Sequence, residues 1–164
     1  MKREIFHTDD APAAIGPYSQ AVGFGNLVFA AGQAGLDPKT GKLVPGGVEA
    51  QAEQVMQNLE AVLLAAGTSL HKTLKATIFL RYMKDFAAVN AVYARYIGDV
   101  KPARSTVAVS ALPMAALVEI EVIAILPEAP EPEVQATPPA VKKPKNGSKK
   151  IKTSSLNCCT QTRS

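Results

Sequence analysis

Apolar side chains recur with helical spacing in two parts of the chain. Over residues 48–66 they return at every third or fourth position, and Gly67 follows as a residue suited to ending a helix. A second pattern of this kind starts at Asp85 and closes at Gly98. The sequence therefore predicts two amphipathic helices.

Short runs of apolar and β-branched residues predict strands on either side of these helices. Residues 21–24 and 27–31 flank Gly25-Asn26, a pair that favours the positive φ angles of a tight hairpin turn. Residues 36–44 contain Asp-Pro and Gly and indicate a turn or a short excursion. The other predicted strands are residues 73–82, 104–110 and 117–126.

Two helices and five or six strands predict an α+β domain in which both helices cover one face of a mixed sheet. In the last strand Val118, Ile120, Val122, Ala124 and Leu126 point to one face. Ile123 and Ile125 point to the other, together with two glutamates, and a monomer would leave them in water. We therefore expect self-association through the second face of the sheet.

The last two predicted strands carry a candidate chemical cluster. An antiparallel hairpin with residues 111–116 as its connection would place Arg104, Thr106, Glu119 and Glu121 on one face. Such a cluster has two interpretations. It is either a structural ion pair, or an arginine that binds a substrate carboxylate beside a glutamate that transfers a proton.

Composition divides the chain after residue 126. Residues 127–164 contain six prolines, two lysine-rich clusters and few large apolar residues, so we predict a disordered tail after a domain of residues 1–126. The domain carries eleven Lys/Arg and eleven Asp/Glu, whereas the tail carries seven and three. The net positive charge is therefore confined to the tail, and the domain has no basic excess to attract nucleic acid.

Several functional classes lack support in the sequence. No apolar run is long enough to cross a bilayer, and the first residues do not resemble a secretory signal. The two cysteines, Cys158 and Cys159, are adjacent and cannot form a spaced disulfide framework, which favours a reducing cytoplasm. No metal-ligand pair, Walker loop or nucleotide-binding glycine motif occurs, so we expect neither a metal nor an organic cofactor.

Five segments, taken in order, resemble the Rid (reactive intermediate deaminase, or YjgF) family. The resemblance covers residues 1 to about 126. Its segments are APAAIGPYSQA at 11–21, AGQ at 31–33, DFAAVNAVY at 85–93, PARSTV at 102–107 and VEIEVIA at 118–124.

The resemblance implies a chorismate-mutase-like fold that assembles as a homotrimer with a substrate cleft at each subunit interface. It also implies cofactor-free hydrolysis of 2-imino acids to 2-keto acids and ammonia. The implied substrates are 2-aminoacrylate with its tautomer 2-iminopropanoate, and 2-iminobutanoate. Removing these reactive molecules would protect other enzymes from damage.

The resemblance also implies roles for individual residues. Arg104 would bind the substrate carboxylate, and Glu119 would orient or activate water. Thr106 would supply main-chain contacts to the substrate nitrogen, at a position where relatives often have cysteine, so any role that needs a thiol is absent. The residues that would line the cleft are Tyr18, Gly32 and Asn90.

Two other functions stay open at this point. Some members of the family have been linked to RNA cleavage or translation, and the lysine clusters of the tail could contact phosphates, although such clusters usually only increase solubility. A trimer could also act without catalysis, as a chaperone or a small-molecule sensor. Neither alternative requires a membrane or a cofactor.

Overall fold

The computed structural model describes residues 2–127. The predicted disordered tail, apart from Pro127, and the Cys158-Cys159 pair lie outside the described residues. Among the helices of residues 2–127, none combines the length and the apolar character needed to cross a membrane.

Six strands and two helices build an α+β domain, which confirms the predicted class. All neighbouring strands are antiparallel except β4 and β5, which are parallel, so the sheet is mixed and has the order β1-β2-β3-β6-β4-β5. The elements in chain order are β1 (Arg3–Phe6), β2 (Ala21–Phe24), β3 (Leu27–Ala34), α1 (Gly47–Ala65), β4 (Thr73–Leu80), α2 (Phe86–Ile97), β5 (Ala103–Ala108) and β6 (Val118–Ile125).

Both predicted helices and the first hairpin are present with bounds close to those expected. α1 is followed by Gly67 at φ 80°, a conformation that glycine adopts without steric cost. Phe24 pairs with Leu27 across the Gly25-Asn26 turn, in which Gly25 has φ 64°. The local pattern is sufficient here because turn chemistry and helical spacing both act over a few residues.

The first strand differs from the expectation, whereas the segment of residues 36–44 agrees with it. β1 was not predicted, since REIF is a short and mainly exposed strand that exists through its pairing with β2. Residues 36–44 form the expected turn, and the Asp37 carboxylate accepts hydrogen bonds from the backbone N–H groups of Lys39 and Thr40. A single bridge joins Leu36 to Leu43.

The predicted hairpin of the last two strands is wrong. β4 lies between β5 and β6, pairing with β5 in parallel and with β6 antiparallel. Because strand, helix and strand follow one another from β4 to β5, α2 serves as the crossover that a parallel pair requires. Sequence adjacency of β5 and β6 was therefore a misleading guide to their pairing.

The two faces of the sheet have different surroundings. The helices pack on each other and on one face, where Val118, Ile120 and Val122 of β6 are buried as the alternation predicted. On the other face, which we call the open face, Ile123 is half-buried and Phe29 of β3 pairs with it while 44% exposed. The open face therefore presents apolar surface that the described residues do not cover.

Candidate active site

A cleft of about 550 Å³ surrounds Glu119 on the open face, and we call it the Glu119 cleft. β6 provides Glu119, β3 provides Gly32, and the segment before β2 provides Tyr18. Met114, in the turn that precedes β6, forms another wall of the cleft, and its backbone has a positive φ of 54°. Three of the residues implied by the family resemblance thus lie in one cleft.

Gly32 provides the space that the Glu119 carboxyl group occupies. The register between β3 and β6 shifts between Ala30 and Gln33, which identifies a bulge at Ala31-Gly32. A Cβ atom added at Gly32 would lie 2.9 Å from Cδ of Glu119, closer than such atoms approach. A glycine is therefore required for the carboxyl group to lie against the strand.

The environment of Glu119 favours its protonated form more than water does. Burial raises the pKa of the Glu119 carboxyl group above its ordinary value, and repulsion from the neighbouring Glu121 raises it further. Within residues 2–127 no cation lies within ion-pair distance of Glu119. A partly buried carboxyl group with a raised pKa is suited to exchange protons with a reacting molecule.

A buried glutamine holds the N-terminal wall of the Glu119 cleft. The Gln20 side chain is 2% exposed, and its Nε2 donates to the carbonyl oxygens of Ala11 and Pro12 at 3.2 and 2.9 Å. Its Oε1 accepts a hydrogen bond from the backbone N–H of Thr8 at 2.7 Å. These bonds fix the irregular segment that leads to Tyr18.

Two buried amides of α1 hold the strand ends beside the same cleft. Asn58 Nδ2 donates to the carbonyl oxygens of Ala34 and Leu36, and Gln51 Oε1 accepts from the Leu117 N–H at 2.8 Å. Leu117 directly precedes the strand that carries Glu119. The helix thereby positions both β3 and β6, since each bond satisfies a backbone group at a strand end.

Arg104 lies elsewhere, in a groove of about 420 Å³ between β5 and α2 that we call the Arg104 groove. Its Nη1 donates to Oδ1 of Asn90 at 2.8 Å. The guanidinium also lies 5.1 Å from the ring centre of Tyr93 and 5.8 Å from that of Phe86. No carboxylate of residues 2–127 lies within ion-pair distance, so its charge is available to an anion.

Thr106 is on the same face of β5 as Arg104 and is half-buried beside Phe86 and Asn90. Its hydroxyl is buried and has no hydrogen-bond partner among the described residues. β5 is an edge strand of the sheet, so one side of its main chain pairs with no other strand of residues 2–127. Main-chain contacts at Thr106 are therefore sterically feasible for a ligand or a second chain.

Tyr93 and Phe86 were not predicted as site residues, because helical spacing places both on the apolar face of α2. Tyr93 follows Asn90 by three positions, and this spacing places the two side chains on one face of the helix. That spacing was the available signal. Burial raises the pKa of the Tyr93 hydroxyl, so it stays protonated as a hydrogen-bond donor.

The structure separates the residues that the predicted hairpin brought together. Arg104 pairs with Ala76 and Thr106 with Ile78, and both partners are buried under the helices. Glu119 pairs with Phe79, which is also in β4. The side chain of Phe79 points to the face opposite to that of Ala76 and Ile78, so Glu119 lies on the opposite face from Arg104. The prediction of one shared face is therefore wrong, because inserting β4 between β5 and β6 removes the assumed register.

Two groups of candidate residues result, one on each face of the sheet. Tyr18, Gly32 and Glu119 share the Glu119 cleft. Asn90 and Arg104 share the Arg104 groove, with Thr106 next to both. Within the described part of the chain, no three His, Cys, Asp or Glu side chains are arranged to hold a metal ion.

Comparison with known proteins identifies the family. A family model described as Endoribonuclease L-PSP matches residues 8–126. The chain belongs to this family, the Rid (YjgF) family. The match includes every candidate residue named above.

Two Rid-family relatives are similar over nearly their whole length. The RutC family protein PH0854 of Pyrococcus horikoshii is 52% identical over 122 residues, which are 74% of this chain and 97% of that protein. The 2-iminobutanoate/2-iminopropanoate deaminase of Mus musculus is 47% identical over 123 residues, 75% of this chain and 91% of that protein.

A solved structure gives the same picture. The crystal structure of E. coli TdcF with bound serine superposes with a TM-score of 0.70 and is 40% identical to this chain. The superposition covers 74% of this chain and 98% of that one. The Rid fold is thus shared by the described domain and by a protein that binds a small amino acid.

Proposed function

We propose that this protein is a hydrolytic deaminase that converts 2-imino acids to 2-keto acids and ammonia. The observation that carries the proposal is the pair of complementary sites: an arginine with no acidic partner among residues 2–127, and a glutamate with a raised pKa and no cationic partner there. Relatives named as 2-iminobutanoate/2-iminopropanoate deaminases support this choice of reaction.

Arg104 is the proposed anchor for the substrate carboxylate. A guanidinium offers a planar fork of donors that matches both oxygens of a carboxylate. The Asn90 amide and the Tyr93 ring hold this fork in place, so binding loses little side-chain entropy. Bound serine in the relative TdcF shows that a family member accepts a ligand of this chemical class.

Glu119 is the proposed proton-transfer group. It accepts a proton from a water molecule as the water oxygen bonds to the imine carbon, and it returns this proton to the nitrogen, which gives a neutral tetrahedral carbinolamine. Glu119 then takes the proton of the carbinolamine hydroxyl and passes it to the nitrogen as the C–N bond breaks and the C=O bond forms, so the products are ammonia and the 2-keto acid. Imines also hydrolyse unaided, so positioned proton transfer needs to contribute only about 10² to 10⁴-fold.

A second copy of the chain is proposed to complete the site. Arg104 and Glu119 of one chain lie on opposite faces of the sheet, so one small substrate cannot contact both of them in one chain. The apolar open face next to the Glu119 cleft provides a surface for association. We therefore propose the homotrimer that the family resemblance implies, with the Arg104 groove of one subunit facing the Glu119 cleft of another.

The proposed biological role is the removal of reactive imines and enamines, among them 2-aminoacrylate with 2-iminopropanoate, and 2-iminobutanoate. These molecules are electrophilic or nucleophilic enough to modify other enzymes, and water is the only co-reactant that their removal requires. The reaction as written needs no metal or organic cofactor.

The test couples the full chain to a dehydratase that releases 2-iminobutanoate from threonine, with semicarbazide present to trap the imine. We expect wild-type protein to suppress trapping, and Arg104→Ala to lose at least about 100-fold in kcat/KM because a charged two-point contact is removed. Arg95→Ala is the matched control, since Arg95 pairs with Glu53 on the helix surface. Wild-type protein that leaves trapping unchanged would contradict the proposal.

A further inference from the structure

The Arg104 groove contains a second cation that the proposed reaction does not use. Lys101 lines the groove three residues before Arg104. Within residues 2–127 the structure shows no ion pair and no side-chain hydrogen bond for Lys101. One groove therefore holds two positive charges that no carboxylate of the described domain neutralises.

The backbone at Lys101 has an unusual conformation. Its φ of 47° and ψ of 60° are left-handed, a region that residues other than glycine, asparagine and aspartate adopt rarely. The turn between Gly98 and Pro102 thus keeps a lysine where asparagine or glycine would be less strained. Strain of this kind is characteristic of positions with a functional constraint.

A third group in the groove lacks a partner. Tyr93 lines the groove and is 5% exposed, and its buried hydroxyl has no hydrogen-bond partner among the described residues. Buried hydroxyl groups are normally hydrogen-bonded, so an exception beside a groove indicates a donor that a ligand or water can satisfy. Lys101 and Tyr93 together provide an ammonium and a hydroxyl, which are both donors for a carboxylate.

We propose that Lys101 selects 2-imino acids that carry a second carboxylate in the side chain, the class formed by oxidising the amino group of aspartate or glutamate. This inference rests on the proposed function, because it takes Arg104 as the anchor of the first carboxylate. The distal carboxylate then binds the Lys101 ammonium, with the Tyr93 hydroxyl as a further donor.

The dimensions of the groove are consistent with this substrate class. Three residues of extended chain span at most about 10 Å, and both cations have long, flexible side chains, so their charges can approach the two ends of a five-carbon dicarboxylate. The volume of about 420 Å³ lies within the usual range of small-molecule sites, about 300 to 1,000 Å³. A substrate with a methyl or ethyl side chain would leave much of that space to water.

The test compares two imines with the same five-carbon skeleton, 2-iminoglutarate and 2-iminopentanoate, produced by amino-acid oxidases from glutamate and norvaline. Hydrolysis is followed as the loss of semicarbazide trapping, and the readout is the ratio of kcat/KM for the dicarboxylic over the monocarboxylic imine. We expect wild-type protein to favour 2-iminoglutarate. Lys101→Asn should lower the ratio about tenfold, since asparagine tolerates the left-handed backbone but lacks the charge.

Three matched variants make the result specific. Lys101→Arg should keep most of the preference, Tyr93→Phe should lower it by a smaller factor, and Lys72→Asn, an exposed lysine outside the groove, should leave it at the wild-type value. If wild-type protein hydrolyses 2-iminopentanoate but Lys101→Asn leaves the ratio unchanged, the Lys101 inference is wrong and the deaminase proposal stands. If wild-type protein hydrolyses neither imine, nor 2-iminobutanoate, both are wrong.

Discussion

The Glu119 cleft and the Arg104 groove differ in almost every physical property. The cleft lies on the open face, and its acidic groups are the two glutamates Glu119 and Glu121. The groove lies beside a helix, and its charged groups are the two cations Lys101 and Arg104. The cleft thus contains negative charge and the groove contains positive charge. Within residues 2–127 neither site forms an ion pair.

This difference indicates why a single chain is an incomplete catalyst for the proposed reaction. An imino acid needs a cation for its carboxylate and a proton acceptor near its imine carbon, and the two have to be within a few ångströms of each other. The sheet of one chain separates them. The proposed assembly of identical chains would solve this problem, since it can bring the Arg104 groove of one chain against the Glu119 cleft of another.

The largest expected effect follows from disrupting the open face. Phe29→Glu introduces a charge next to Ile123, so we expect loss of self-association in light scattering and a fall of activity to the level of Arg104→Ala. Leu64→Glu, which alters an apolar residue that is 61% exposed on α1, is the control and should leave both properties unchanged. A monomeric Phe29→Glu protein with full activity would show that one chain contains a complete site.

A smaller effect is expected from filling the space at Gly32. Gly32→Ala would push the Glu119 carboxyl group out of position, and a displacement of about 1 Å in a catalytic group costs up to about 10²-fold in rate. The measurement is kcat/KM for 2-iminobutanoate. In a Glu119→Gln background the same substitution should have little further effect, since its only target is already inactive. If Gly32→Ala lowered kcat/KM by the same factor in the Glu119→Gln background as in wild-type protein, the explanation would be contradicted.

The smallest effect concerns the pH dependence. Glu119 has to be deprotonated to accept a proton from water, so kcat/KM should fall as the pH drops through its raised pKa. Glu121→Gln removes the repulsion that contributes to this increase, so the pKa of Glu119 should decrease. We therefore expect the acidic limb of the profile to move to lower pH. The control is Glu60→Gln, which changes an exposed residue of α1 and should leave the pH profile of kcat/KM unchanged. An acidic limb that moves to higher pH in Glu121→Gln would exclude Glu119 as the base.

The sequence was sufficient for features that depend on neighbouring residues. Helical spacing gave both helices, Gly25-Asn26 gave the first hairpin, and alternation gave the two sides of β6. It was insufficient where pairing between distant segments decides the structure, as for β1 and for the position of β4 between β5 and β6. The strand-helix-strand order from β4 to β5 did contain the correct signal, because such units form parallel pairs.

The candidate site shows the same limit. The resemblance supplied the individual residues, and the structure groups them into the cleft and the groove. Strand parity placed Arg104 and Glu119 on one face, which is wrong, because parity has meaning only once the neighbouring strand is known. The aromatic support of Arg104 by Tyr93 depends on the packing of α2 against β5, which no local pattern specifies.

The most direct test of a site shared between subunits mixes two inactive variants. Arg104→Ala and Glu119→Gln chains, differently tagged, are co-expressed in equal amounts, and all the resulting assemblies are purified together, without separating mixed from homogeneous ones, alongside each variant expressed alone. If each site takes its arginine from one subunit and its glutamate from another, random mixing leaves about a quarter of the sites intact, since half of the subunits can supply each residue. We expect about a quarter of wild-type activity from the unfractionated mixture. Activity no higher than that of the separate variants, in assemblies shown to contain both tags, would contradict a shared site.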